Sequence, residues 1–411
     1  NAELGLLNET VCDAIVGASQ EVIEGTLSEH FPVDLFQTGS GTSTNTNANE
    51  VIANRATELL GGDRGSKLVH PNDHVNMCQS SNDVIPTVIH IAVLASIKDD
   101  LVPALQGMRK ALEVKSKEFW PIVKTGRTHL QDATPVRLGQ EFIGYAGQME
   151  RAILRLDHAM EDLSEVALGG TAVGTGVNAH QEFSTRTCAR LSKQVGLTVR
   201  ETENHFQAQN CLDGVVEASG VLRTVATSMY KIANDIRWLG SGPRAGIGEI
   251  TLPEVQPGSS IMPGKVNPVI AESVIQVVAQ VIGNDATIAM SGQGGYFELN
   301  MMMPVAAYNI LQSTSLLATS ATNFTEQCVI GIGATNAGPD LVERGLMLGT
   351  ALAPAIGYDK AASIAKQAAK DGRTIREVAR EEAGLSEEDL NLLLKPEKMT
   401  EPGLDSGGGG G

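Results

Sequence analysis

The stretch GVVEASGVLRTVATSMYKIANDIRWL, residues 214 to 239, keeps Val215, Ala218, Val221, Val225, Met229, Ile232 and Ile236 on one side of a helix. Apolar residues spaced three and four apart share a face at 3.6 residues per turn. A helix that long cannot bury its stripe on short connections and needs partners of similar length. TVIHIAVLASIKDDLVPALQGMRKALEVKSKEF, residues 87 to 119, reads as another, broken only at Pro103. VIAESVIQVVAQVIGNDATIAM, residues 269 to 290, is apolar nearly all round. Glu272, Gln276, Gln280, Asn284 and Asp285 make it a poor membrane span, so its expected place is the centre of a multi-chain bundle. The predicted fold is mainly α, a long central helical bundle with smaller N- and C-terminal helical domains.

Before the bundle, residues 1 to 30 read as helix and residues 35 to 62 as a small-polar loop that turns helical from about Asn47. His70 to Pro86 reads as a loop with several side-chain caps, leading to a helix that starts near Pro86. After IGATNAGPD, residues 332 to 340, the composition shifts to short charged helices. The expected division is therefore residues 1–79, 80–336 and 337–411, with no internal repeat, and the DSGGGGG end is expected to be disordered.

Composition narrows the function. The net charge of -17 disfavours nucleic acid and anionic membrane surfaces, because both are bound through clustered Lys and Arg. Charged residues make up only 19% of the chain, which suits an oligomer with large shared surfaces. Cys12, Cys78, Cys188, Cys211 and Cys328 form no C-x-x-C pair, so no disulfide frame, zinc site or iron–sulfur cluster is expected and a reducing, cytoplasmic compartment fits. The opening NAELGLLNET shows no basic region followed by an apolar run, so no signal peptide is visible in it.

Three polar loops carry more special residues than bundle connections need. They are TGSGTSTNTN (38 to 47), TGRTHLQDATP (125 to 135) and PGSSIMPGKVNP (257 to 268). The last invites a phosphate-loop reading, which fails: five residues instead of four separate Gly258 from Gly264, and Val266 follows Lys265 where Ser or Thr should hold magnesium. A nucleophile elbow fails too, since no glycine closes the turn after Ser259 and Ser260. Taken singly, these residues have ordinary readings. Ser259 and Ser260 make turns, His129 caps, Lys265 is a solvated charge, and Glu272 pairs with a buried donor. His90 reads as a core or interface residue, and NMMMPV, residues 300 to 305, as packing.

Together with QSSNDVIPT, LGGTAVGTGVN and IANDIRWLGSGPR, the three blocks resemble the signature regions of the fumarase/aspartase superfamily over essentially the whole chain, beginning inside the family's first domain. Within it, the sequence is most similar to class II, metal-free fumarate hydratases. His129 and Ser81 carry that choice, because aspartate ammonia-lyases typically place glutamine and threonine there. The resemblance implies a homotetramer with active sites shared between three chains, a small dicarboxylate substrate (fumarate or L-malate), and neither cofactor nor metal. It implies catalytic roles for Ser259 as base, His129 as acid and Glu272 as its orienting carboxylate. Substrate contacts are implied for Ser40, Thr42, Ser80, Ser81, Asn82, Thr128, Ser260, Lys265 and Asn267, and a peripheral dicarboxylate site for His70, Asn72 and Asp73. The rivals are another lyase of the superfamily, such as an aspartate ammonia-lyase, and a non-catalytic structural protein built on the same fold.

Overall fold

The computed structural model describes residues 1–403, and the expected disordered glycine tail lies outside the described residues. The fold is mainly helical. Its long helices are α1 Glu9–Ile23, α2 Thr42–Leu59, α3 Ser81–Ser96, α4 Val102–Phe119, α5 Leu138–Leu163, α6 Phe183–Val195, α7 Asp213–Leu239, α8 Val269–Gly292 and α9 Met303–Gln327. Short helices fill much of the remainder. The chain forms two compact units: one from Asn1–Ala104, Ala152–Thr227 and Val277–Thr319, the other from Leu105–Arg151, Ser228–Gln276 and the residues from Ser320 onward.

Helix α7 follows its sequence pattern with one change. Val215, Ala218, Leu222, Val225, Met229, Ile232 and Ile236 are fully buried, whereas Val221 is only partly so. The alternation of three and four runs through Leu222, one position on from the residue picked from the sequence. Helix α8 is long and apolar enough to cross a membrane, yet a third of its most apolar window is buried within the chain. Asn284 and Asp285 on it are buried and satisfied: Asp285 accepts from Ser219 at 2.7 Å and Arg223 at 2.6 Å, and Asn284 donates to Gln312 and Ser313, each at 3.0 Å.

Several boundaries differ from those expected, each for a local reason. Helix α1 starts only at Glu9, because Asn8 caps the amides of Thr10 and Val11, and it has ended before Gly25 enters the left-handed region. Helix α2 starts at Thr42 rather than near Asn47, since Gly41 at φ 72° turns the chain into it. Helix α3 starts at Ser81 rather than near Pro86. A capping box fixes that start: Ser80 receives a backbone N–H while Asp83 accepts the Ser80 amide, so Pro86 lies inside the helix. Pro103 does not break the next helix either. A π-turn over Ile97–Leu101 joins α3 to α4 and absorbs the irregularity ahead of the proline.

The largest departure is at TGRTHLQDATP, expected to be a loop. It is an antiparallel hairpin of β1 Val123–Thr128 and β2 Gln131–Arg137. All other strands among the described residues are two residues long. Residues 346–400 form a local core around Leu352, Ile364, Val378 and Leu394. Cys78, Cys188 and Cys328 are buried, Cys12 and Cys211 partly exposed, and all five are free thiols.

Candidate active site

In the first unit the N-termini of α2 and α3 meet. Thr42 and Ser81, the first residues of the two helices, are joined by a 2.8 Å hydrogen bond between their hydroxyls. Ser40 extends the string, with its hydroxyl 2.7 Å from that of Thr42, and Ser81 donates onward to the Asn82 side chain at 3.3 Å. Two helix N-termini at one point concentrate positive dipole ends and unpaired amides. The arrangement suits an anion, and Gly41 adds to it by providing no side chain to close the end of α2. Gly39 is required here, because a Cβ on it would lie 1.7 Å from the Met301 carbonyl oxygen. Within NMMMPV, Met303 is fully buried and its amide donates to the Gly39 carbonyl at 2.9 Å, whereas the Met301 side chain is exposed.

Asp83 anchors this corner and was not singled out from the sequence. Fully buried, it accepts three backbone N–H groups: Ser80 at 2.9 Å on one oxygen, Gly169 at 3.0 Å and Thr171 at 2.9 Å on the other. Burial pushes its carboxyl up from its ordinary value, against the pull of those donors. Asn82 adds a bond to the Ala172 carbonyl at 2.8 Å. LGGTAVGTG is thus the segment that packs beside the helix starts. The Ser-x-x-Asp spacing of Ser80 and Asp83 is the sequence signal that could have revealed the anchor.

Two expected ligands have local duties as well. Ser80 is the cap of α3, its hydroxyl oxygen accepting the Asn82 amide at 3.2 Å. His70 caps the short turn Pro71–Val75, with Nδ1 accepting the amides of Asn72 at 3.2 Å and Asp73 at 3.1 Å. Asn72 and Asp73 are exposed beside it.

The second unit holds the other residues. The hairpin turn places His129 and Leu130 at its tip, with φ of 57° and 58°, between the paired Thr128 and Gln131. Two consecutive left-handed residues make the tight turn that usually calls for Asn-Gly. A histidine and a leucine there hold strain of order 1–2 kcal/mol each, of the kind kept where a side chain must be presented. Thr128 and His129 are exposed.

PGSSIMPGKVNP closes on itself. The Gly258 amide donates to the Lys265 carbonyl at 2.9 Å, and the Asn267 side chain donates to the Gly258 carbonyl at 2.7 Å. A Cβ at Gly258 would lie 2.1 Å from the Lys265 oxygen, and Gly264 turns at φ 79°. Within this collar the Ser259 hydroxyl oxygen accepts the amides of Ile261 at 3.2 Å and Met262 at 3.1 Å. Two converging N–H donors stabilise negative charge on that oxygen, which is what a serine base needs. Ser260 and Lys265 are exposed beside it. Glu272 lies exposed in the first turn of α8, and none of the hydrogen bonds or ion pairs of the described residues joins it to His129. Among the described residues no group of three or more His, Cys, Asp or Glu could hold a metal ion.

A family model described as Lyase matches residues 1–283, and one described as Fumarase C C-terminus matches residues 348–401. The sequence is 53% identical over 405 residues to fumarate hydratase class II 2 of Bradyrhizobium diazoefficiens, covering 98% of this chain and 86% of that protein. It is 55% identical over 408 residues to fumarate hydratase class II of Halobacterium salinarum, covering 99% and 87%. The crystal structure of recombinant class II fumarase from Schistosoma mansoni superposes with a TM-score of 0.96 at 38% identity, covering 98% of this chain and 88% of that one. A hairpin tip, a serine collar and paired helix starts thus sit on a fold that nearly all of this chain shares with these enzymes, and the chain belongs to the class II fumarate hydratases of the lyase family.

Proposed function

We propose that the protein catalyses the reversible hydration of fumarate to L-malate. The observation that carries this reading is the Ser259 oxygen, held by two loop amides in a collar that also bears Lys265 and Asn267. In the direction of dehydration, Ser259 as its alkoxide takes the proton from the carbon beside a carboxylate. The freed pair moves into that carboxylate as an enediolate, whose charge Lys265 and the remaining Asn267 donor stabilise. Return of the pair forms the double bond and expels hydroxide from the adjacent carbon. His129, directly or through a water, gives that hydroxide a proton. Ser40, Thr42, Ser81, Asn82 and Thr128 supply hydroxyl and amide contacts to the second carboxylate, and Glu272 orients His129.

The working form is a cytoplasmic homotetramer whose sites draw loops from three chains. Two features support this: His129 stands on an exposed hairpin tip with no hydrogen bond or ion pair to Glu272 among the described residues, and only a third of the apolar α8 window is buried within its own chain. We assign residues 1–79, 80–336 and 337–411 to three domains of that assembly and keep His70, Asn72 and Asp73 as a peripheral dicarboxylate site. The test is to incubate purified protein with L-malate or L-aspartate in the presence of a chelator and follow ultraviolet absorbance of the conjugated double bond. Absorbance from malate is expected. Absorbance from aspartate alone would make the protein an ammonia-lyase, and none from either would leave a structural role.

A further inference from the structure

Below the hairpin lies a buried charge cluster that the proposed chemistry does not use. Lys124, at the foot of β1, is 1% exposed, with Nζ 2.8 Å from Glu141 Oε1 and 3.0 Å from Glu249 Oε2. Arg127, near the tip of the same strand, places Nη2 2.8 Å from the other oxygen of Glu249. Glu249 is itself 1% exposed, so one buried carboxylate spans two cations on one strand.

Regular strand geometry forbids that arrangement. Residues three apart on a strand point to opposite faces. The ladder, however, slips between Thr125 and Arg127: Thr125 pairs with Pro135 but Arg127 pairs with Asp132, so Ala133 and Thr134 stand against the single Gly126. A Cβ at Gly126 would lie 2.5 Å from the Thr134 carbonyl oxygen, so the irregularity requires glycine. Such bulges re-aim side chains and increase local twist. Here the slip brings Lys124 and Arg127 round to the same acceptor.

Glu249 is a firm support for them. Its amide donates to the Leu239 carbonyl at 2.9 Å, its carbonyl accepts the Thr335 amide at 3.0 Å, and the next residue begins the two-residue ladder with Gly333–Ala334. Removing two buried charges from water is costly, and a well-packed apolar cluster would stabilise the hairpin as well or better. What an apolar cluster lacks is direction. A carboxylate with one cation on each oxygen fixes the twist of β1 on both sides of the bulge, and the next two residues are Thr128 and the strained His129.

We propose that Glu249 is a positioning residue for the reaction: by clamping Lys124 and Arg127 across the bulge it sets where the hairpin tip presents His129. The proposal rests on the reading of His129 as the proton donor. The first variant is Glu249→Gln, which keeps the shape and removes the clamp. Its kcat for malate dehydration should fall about tenfold to a hundredfold, the scale of a displacement near 1 Å, with KM changed less than about threefold. Hydrogen exchange in a peptide spanning residues 125 to 131 should quicken, while peptides from the first unit keep their wild-type rates.

The second variant, Arg127→Met with Glu249→Gln, removes the cation that has lost its carboxylate, since Lys124 keeps Glu141 at 2.8 Å, and separates charge balance from positioning. It should regain stability yet keep the low kcat and the fast hairpin exchange. Recovery of wild-type kcat in the double variant, or an unchanged kcat or unchanged hairpin exchange in Glu249→Gln, would overturn the proposal. Should Glu249→Gln fail to fold, the double variant alone decides between the two outcomes. A wild-type protein inactive on malate would sink the functional reading instead, and the exchange measurement would still decide whether Glu249 holds the hairpin.

Discussion

The hydroxyls of Thr42 and Ser81 lie 2.8 Å apart across 39 positions of sequence, and they tie the first residue of one helix to the first residue of another. Replacing Thr42 by valine keeps the shape and removes the middle of the Ser40–Thr42–Ser81 string. Ser40 and Ser81, 5% and 8% exposed, would each lose a partner. The expected stability loss is about 1 kcal/mol, while the alignment of two helix ends at the proposed anion site is disturbed. We expect kcat/KM for malate to fall more than about tenfold. Steady-state kinetics beside denaturant unfolding checks this; a loss of stability with unchanged kinetics would confine the string to a structural role.

Ser259 offers a cleaner separation of chemistry from fold. Its hydroxyl holds only the amides of Ile261 and Met262, in a loop whose closure runs instead through Gly258, Lys265 and Asn267. Ser259→Ala should therefore leave the assembly and its unfolding transition unchanged. Removing the base should lower kcat by about 10²–10⁴-fold. Near-normal turnover would refute its role.

His90 gives a pH signature that involves neither loop. It is partly buried on α3, its Nδ1–H donating to the Glu165 carbonyl at 2.8 Å, with Asp162 and the Glu165 carboxylate nearby. Burial pushes the imidazole below its ordinary value of 6.5, although the neighbouring acids pull the other way. With the folded value depressed, the unfolded chain takes up the proton first as pH falls. The contribution of neutral His90 is thus fully present above 6.5 and is lost as pH drops through the folded value. We expect unfolding free energy to decline below about pH 6.5 with a slope of at most about 1.4 kcal/mol per pH unit from this group. His90→Gln, which can still donate to Glu165, should flatten that part of the profile. An identical slope in the two proteins would show that His90 is not the cause.

The helical architecture could be read from residue spacing, because long apolar stripes such as that of α7 leave one way to be buried. The hairpin could not. TGRTHLQDATP has the glycine, threonine and proline of a loop, and its turn uses His129 and Leu130 in a conformation that local preference assigns to Asn-Gly. Helix starts at Thr42 and Ser81 were placed late for a similar reason. Pro86 suits a first-turn proline, while the Ser80–Asp83 box, which opens six positions earlier, is decisive. Of the candidate site, the residues in the three polar blocks stand out in the sequence. The buried supports are harder: the Ser-x-x-Asp spacing marks Asp83 as a cap without showing its burial, and Lys124 and Glu249 are charged residues in segments whose sequence gives no hint that they face inward. Their partners are distant in the chain, which periodicity does not report.

Asp83 tests how far such a support matters. Its two oxygens take three backbone N–H groups, from Ser80, Gly169 and Thr171. Asparagine has nearly the same shape but only one acceptor oxygen, so its NH₂ group must face at least one of those donors. A buried amide left without an acceptor costs about 1–3 kcal/mol. Relief from burying a charge works in the opposite direction, since burial already holds the Asp83 carboxyl above its ordinary value. Losing an acceptor site while setting N–H against N–H outweighs that relief, because Thr171 is buried and Gly169 only partly exposed. Asp83→Asn should therefore lower the unfolding free energy by about 2 kcal/mol and speed hydrogen exchange at residues 168 to 176. It should also raise KM for malate, because Ser81 and Asn82 follow the cap that Asp83 completes. A variant as stable as the wild type, with unchanged exchange in that loop, would remove Asp83 from the anchoring role.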